Sequence, residues 1–227
     1  MGHMTAAGPT WAILVPTIGE RRELFGRLMD GLIPQTLKHD GRVRVHGWFN
    51  NGRPSLPEIR QRMVRAAGTE YVSFVDDDDV VAPYFVDEVM VALAGRPDYV
   101  GFQVQCYSDG APTAISYHDL THGRWENQRH RHLRDISHIN PIRTTLALTA
   151  DFSRARRGQP EDRVWADQLR RGKKLREQVV IDRIMYHYLY RPKRSTAGSR
   201  WRPVLSRFGS VRPEVVHPNF TWSDPDA

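Results

Sequence analysis

Apolar and polar positions alternate along the first half of the chain in a repeating order of elements. Trp11–Thr17 (WAILVPT) is a short apolar run interrupted by proline, the pattern of a buried strand. Glu20–Ile33 places Leu24, Phe25, Leu28, Leu32 and Ile33 at helical spacing, and Pro34 is expected to end that helix. Arg42–Gly52 (RVRVHGWFNNG) alternates and then breaks at Asn-Asn-Gly, predicting a strand and a turn. Leu56–Ala67 predicts a helix with Pro57 in its first turn. Tyr71–Val75 predicts a strand, Pro83–Ala94 a helix buried through Phe85, Val86, Val89, Met90 and Leu93, and Asp98–Tyr107 a further strand. This β-α-β-α-β-α-β alternation predicts an α/β fold, an open and mostly parallel sheet flanked by helices.

The second half is less regular. Thr121–Asp135 is polar and basic and predicts a loop or hairpin. Pro141–Phe152 is apolar enough to pack, and Glu161–Arg171 has a helical pattern with Val164, Trp165 and Leu169 as its buried stripe. Ile184–Pro192 (IMYHYLYRP) alternates as a strand. From Lys193 onward Pro, Gly, Ser and Arg dominate, predicting an extended tail over the body. The expected organisation is a tag remnant and flexible N-terminus at 1–10, one domain at 11–192 and the packed tail at 193–227. The domain divides into two halves of different character, 11–110 and 111–192.

In open α/β sheets ligands bind beyond the carboxyl ends of the strands. Pro16-Thr17, Asn50-Asn51-Gly52 and Asp76-Asp77-Asp78-Asp79 would all lie on that edge. The four aspartates repel one another, and something must offset the cost. If the segment stays extended, Asp76 and Asp78 point the same way and can converge on one hard cation, Mg²⁺ or Mn²⁺. A helix cap would need only one of the four, and Asp79, near Pro83, could partly serve as one.

Composition changes this picture in two ways. The single cysteine, Cys106, excludes an intrachain disulfide framework and a cysteine zinc cluster, and points to a reducing, cytoplasmic setting. No apolar run is long enough to span a bilayer, so no membrane partner is expected. Net charge is +7 but uneven: residues 1–110 carry 11 Lys+Arg against 14 Asp+Glu, and residues 111–227 carry 22 against 12. Seven of the ten histidines also fall in the second part. The basic half is therefore expected to face a polyanion such as nucleic acid.

The segments AILVPTIGERRELFGRLMDGLIPQ, PEIRQRMVRAAGTEYVSFVDDDDVVAPYF, QPEDRVWADQL and MYHYLYRP resemble family 2 glycosyltransferases with the GT-A fold, over roughly Trp11–Pro192. The resemblance implies a Rossmann-like single domain, a UDP-sugar donor and a divalent metal, Mn²⁺ or Mg²⁺. It places Asp76 at the ribose or metal-water position, makes Asp78 the direct metal ligand and leaves Asp79 as a supporting acid. Asp77 falls in the variable slot of the nucleotide-sugar loop, with no role for its charge. Arg60 matches an arginine that family members carry near the nucleotide, while Gln61 replaces the asparagine expected beside it. Pro16, Thr17, Glu20 and Asn50 or Asn51 match loops that hold uracil and ribose. Asp162 is implied as the general base of an inverting transfer, Glu161 as a positioning acid, and His187 as a third metal ligand. His138, Asn140 and Trp165 are acceptor-side candidates. The Gln-x-x-Arg-Trp motif of processive members is missing, implying a soluble, non-processive enzyme.

Family 2 enzymes mostly build polysaccharides, glycolipids or glycoproteins. The basic segments RHRHLR, RARR, RRGKKLR and RPKRSTAGSRWR, with Trp125 and Trp201 nearby, instead resemble a surface for phosphates and bases, with Arg129, Arg131 and Arg194 as candidate contacts. A small, basic member of this kind resembles the phage TET-associated glycosyltransferases. That resemblance implies DNA carrying 5-hydroxymethylcytosine as acceptor and a TET-like dioxygenase as functional partner. A polysaccharide or cell-wall acceptor is the alternative within the family. A metal-dependent nuclease and a non-catalytic DNA-binding module are alternatives of another class.

Overall fold

A computed structural model describes residues 8–50, 53–190 and 220–223. The strands are β1 (Trp11–Ile18), β2 (Val43–Asn50), β3 (Tyr71–Phe74), β4 (Val80–Val81), β5 (Tyr99–Ser108), β6 (Ala111–His118), β7 (Glu126–Asn127), β8 (Arg131–Arg134), β9 (Ile142–Arg143), β10 (Gln178–Tyr190) and β11 (Phe220–Ser223). The α-helices are α1 (Arg22–Thr36), α2 (Leu56–Ala66), α3 (Phe85–Leu93), α4 (Thr144–Ala147) and α5 (Glu161–Gly172). One mixed sheet runs β11-β2-β1-β3-β9-β5-β6-β8-β7, with β10 pairing to β5 and β4. The long ladders β1–β2 and β5–β10 are parallel, as the alternation predicts.

Strand periodicity explains the two-sided core. Trp11, Ile13 and Val15 of β1 face Leu28 and Leu32 of α1 and Phe85, Val86 and Val89 of α3. Ala12 and Leu14 face the other way, onto Ile59, Met63 and Val64 of α2 and Trp165 and Leu169 of α5. Each fully buried aliphatic or aromatic side chain of this kind contributes roughly 1.5–3 kcal/mol.

Pro34 does not end α1; it lies inside the last turn. Proline removes a single backbone donor there, and the adjacent Gln35 amide donates to Gly31 O (2.8 Å) and Ala82 O (3.0 Å). Its Oε1 accepts from Val86 N, tying α1 to α3. In α5 the buried stripe is Trp165, Ala166 and Leu169, while Val164 is half-buried. Glu126–Arg134 forms the expected hairpin. Of the predicted tail only Phe220–Ser223 is described, pairing in parallel with β2. No helix among the described residues is long and apolar enough to cross a membrane.

Because β2, β1 and β3 run in parallel, their carboxyl ends emerge side by side, with Ile18 opposite Asn50. Helix α2 starts just beyond, fixed by Ser55, whose N and Oγ donate to Glu58 Oε2 at 2.8 and 2.7 Å.

Candidate active site

Strand β3 stops at Phe74, and the four aspartates form a turn closed by Asp79 N donating to Asp76 O (3.1 Å). The extended alternation expected for them does not hold. A turn lets the carboxylates splay in different directions, and each finds its own partners. Asp77, only 3% exposed, accepts from Thr17 Oγ1 (2.7 Å) and Arg21 Nη1 (2.8 Å). Burial raises its pKa above the usual carboxylate range, against the pull of those two hydrogen bonds. Asp79 accepts from Tyr186 OH and Leu189 N, both at 2.8 Å, and so pins β10 beneath the turn. Burial, with Asp76 and Asp78 adding like charge, pushes its pKa well up. Asp79 does not cap α3, whose N-cap residue is Tyr84.

Asp76 and Asp78 differ from these two. Both line a cavity of about 490 Å³ with Pro16, Thr17, Arg21 and Asn50, which the buried Asp77 also borders. Asp78 lies 3.2 Å from Arg21 Nη1. Asp76 Oδ1 accepts from Arg60 Nη2 at 2.7 Å, and its backbone N donates to Tyr186 OH at 3.1 Å. Burial is the largest influence and alone would raise the Asp76 pKa, but the charge and hydrogen bond of Arg60 together with the adjacent His138 outweigh it and hold the carboxyl far below the ordinary range. Among the described residues no three His, Cys, Asp or Glu side chains converge as a ready-made metal cage. Two carboxylates on one cavity still fit Mg²⁺ or Mn²⁺, because these ions complete their shells with waters and ligand phosphates.

Arg60 projects from the buried face of α2 and is itself 4% exposed. Its guanidinium lies over the Phe74 ring (4.8 Å) and 3.2 Å from Glu161 Oε1, while Nη1 has no hydrogen-bond partner among the described residues. Gln61, next to it, accepts from Phe152 N (3.0 Å) and is a structural tie.

A second cavity of about 510 Å³ adjoins the first, and Arg60, Asp76, Tyr188 and Tyr190 line both. Glu161 and Asp162 enter it from the N-terminus of α5. Asp162 Oδ1 accepts from Arg163 N (2.8 Å), and Oδ2 lies 3.9 Å from His138 Nδ1. Trp125 also lines this cavity. Its indole donates to Ile136 O (2.9 Å), and the guanidiniums of Arg134 and Arg163 lie 4.9 and 5.4 Å from its ring. His118, on the cavity wall, is fixed between Asn140 Oδ1 and Ser116 Oγ, and burial lowers its pKa to about 3.

Several sequence-derived candidates stand elsewhere. His187 lines neither cavity: it lies next to Tyr186 on β10, 3.4 Å from Tyr107 OH, and burial lowers its pKa to about 4. Trp165 is a core residue, stacked on Phe152 at 4.7 Å. Asn140 is fully buried and holds His118 and the Val100 carbonyl. Glu20 is exposed in the turn after β1 and lines neither cavity. Arg129 is exposed between β7 and β8, and Arg131 lies over Tyr117, away from both cavities. Asn51, Arg194 and Trp201 lie outside the described residues. Sequence reasoning missed Arg21, Tyr188 and Tyr190. The last two had a signal, since 186, 188 and 190 share one face of a strand.

The fold is that of a GT-A-type α/β protein. The family described as Glycosyl transferase family 2 matches residues 49–153. Among solved structures the chain is similar to S. aureus TarS 1-349, with 15% identity and a TM-score of 0.57 over 79% of this chain and 60% of that one. It is similar to the same TarS fragment in complex with UDP-GlcNAc, with 14% identity and a TM-score of 0.52 over 83% and 61%. For S. aureus TarS itself the identity is 13% and the TM-score 0.54, over 81% of this chain and 37% of that one. The chain thus spans about three-fifths of the length of the TarS fragment. No curated protein matches it.

Proposed function

We propose that this chain is an inverting, non-processive glycosyltransferase that moves a sugar from a UDP-sugar to a hydroxyl acceptor. The observation that carries this is the meeting of two cavities at Arg60 and Asp76, with the Asp162 carboxylate on the far one. The family match and the likeness to a protein solved with UDP-GlcNAc support the same donor class.

In this reading the nucleotide diphosphate occupies the cavity of Thr17, Arg21, Asn50 and Asp78. Asp162 accepts the proton of the acceptor hydroxyl as its oxygen bonds to the anomeric carbon. The bond from that carbon to the diphosphate breaks, and its electron pair leaves with UDP. Arg60 and Arg21 supply positive charge beside the oxygens where negative charge builds. Asp77 holds the loop carrying Thr17 and Arg21 against the aspartate turn. Asp78 with Asp76 would hold a divalent cation, Mn²⁺ or Mg²⁺, which when bound screens the charge of the diphosphate.

The acceptor side supports a polyanion: Arg129 is exposed, and Arg134 and Arg163 flank Trp125 at the second cavity. Our first reading is DNA carrying 5-hydroxymethylcytosine, whose hydroxymethyl group is the nucleophile and whose base would be extruded to reach Asp162. Purified protein with Mn²⁺, a panel of UDP-sugars and DNA with or without 5-hydroxymethylcytosine tests this by UDP release and nucleoside mass. No UDP release from any donor, with no retention of UDP, would refute the glycosyltransferase. UDP release with transfer to a polysaccharide and no adduct on modified DNA would refute the DNA acceptor.

A further inference from the structure

His138 stands where the two cavities approach each other. It is 8% exposed, its carbonyl accepts from Phe74 N (2.8 Å), and its ring packs beside the Phe74 ring at 6.0 Å. Nε2 lies 3.5 Å from Asp76 Oδ2, and Nδ1 lies 3.9 Å from Asp162 Oδ2. Neither nitrogen makes a hydrogen bond among the described residues.

These distances are too long for formed hydrogen bonds and too short for a linear water bridge. A neutral imidazole has one N–H and one lone pair, whereas both flanking carboxylates only accept. In the neutral ring one nitrogen therefore faces a carboxylate with nothing between them to donate, and at 3.5 and 3.9 Å neither side closes a hydrogen bond. Buried polar groups are normally paired, so two unpaired nitrogens on one ring mark a place that a ligand completes. The group that fits is a hydroxyl, because it can accept from an N–H and donate to a carboxylate or a lone pair.

We propose that His138 contacts both substrates, using Nδ1 to orient the attacking hydroxyl toward Asp162 and Nε2 to read a hydroxyl of the transferred sugar beside Asp76. In the tautomer this requires, Nδ1–H donates to the attacking oxygen while that oxygen's proton faces Asp162. The Nε2 lone pair accepts from the sugar hydroxyl. No bond to the imidazole forms or breaks. The inference rests on the glycosyltransferase reading.

The test uses the full chain with UDP, UDP-glucose and UDP-GlcNAc, following UDP affinity by calorimetry and UDP release to water as the acceptor. His138→Phe keeps the ring and removes both nitrogens. UDP affinity should stay within about twofold, and UDP release should fall roughly 30- to 100-fold, the scale of two lost hydrogen bonds. His138→Asn and His138→Gln approximate Nδ1 and Nε2 in turn, and at least one should recover about tenfold over the Phe variant. Wild-type release by His138→Phe overturns the inference, as does a parallel loss of UDP affinity or the absence of rescue by either amide. Wild-type protein that releases no UDP from either donor overturns the glycosyltransferase reading itself, an outcome distinct from an active wild type indifferent to position 138.

Discussion

Asp77 and Asp78 are neighbours in sequence, yet Asp77→Ala and Asp78→Ala should have opposite consequences. Asp77 is buried and accepts two hydrogen bonds, one from the buried Thr17 hydroxyl and one from Arg21, which is 44% exposed. A hydrogen bond to a charged group contributes about 1.5–3 kcal/mol, and the Arg21 contribution must be discounted to about 0.5–1 kcal/mol for screening. Relief of repulsion from Asp78 offsets part of the sum. The net loss for Asp77→Ala is about 2–3 kcal/mol, or roughly 5–10 °C in Tm for a chain of this size. Asp78→Ala removes an ion pair of an exposed arginine and one of four crowded charges, so its Tm should move by less than about 3 °C. On the proposed reading, in which Asp78 would hold the divalent cation, its UDP release with Mn²⁺ should nevertheless fall at least 100-fold.

The pH dependence sharpens the test. The folded pKa of Asp77 is raised, so its contribution to stability is fully present below the unfolded carboxyl pKa and is lost as pH rises through the folded value. Asp77→Asn imitates the protonated form. It should therefore lie closer to wild type than Asp77→Ala at pH 7.5, and should lack the stabilisation that wild type gains at this site as pH falls through the folded value. Thermal melts over a series from acid to neutral pH, with UDP release on the same samples, decide the matter. Equal Tm for Asp77→Ala and Asp78→Ala would refute the division of the aspartates argued here.

Asp162→Asn should reduce transfer about 10²- to 10⁴-fold while leaving the Kd for UDP within twofold, measured by release assay and calorimetry. Arg60→Lys should lose both UDP affinity and rate, because a single ammonium cannot reach Asp76 and Glu161 together as the planar guanidinium does; unchanged affinity would count against its place between the cavities. Tyr186→Phe should destabilise the fold by about 1–3 kcal/mol, since Asp79 loses a donor and Asp76 N an acceptor. The Asp79 pKa is raised, so this site loses stability as pH rises. Melts of the Tyr186→Phe variant should show a steeper loss than wild type, because the remaining carboxylate is less well solvated.

The scaffold was legible because its signals are local. Period-2 burial in β1, the capping box at Ser55 and the amphipathic α2 and α5 all follow from neighbouring residues. Asp76, Asp78, Arg60, Glu161 and Asp162 were legible as candidates because the carboxyl edge of a parallel sheet gathers whatever follows each strand. What failed required three dimensions. His187 belongs to the right strand but the wrong register position, and a period of two cannot say which face is the site. Trp165 and Asn140 are near the site in sequence yet packed away from it, which only the contacts of Phe152 and His118 reveal. Arg21 gave no signal, since one exposed arginine among several in a first helical turn is indistinguishable until Asp77 is seen to need it.

That last relation explains why the chain tolerates four consecutive aspartates. A run of like charges is costly only if all four must share one environment, and here they do not. Two are buried against hydroxyl, guanidinium, phenol and backbone donors, with folded pKa values that rise rather than fall. Their job is to tie β1 and β10 to the turn. That leaves Asp76, balanced by Arg60, and Asp78 on the cavity lined by Thr17, Arg21 and Asn50. The buried pair therefore fixes where the other two stand, and loss of Asp77 should also release Thr17 and Arg21, which line the same cavity.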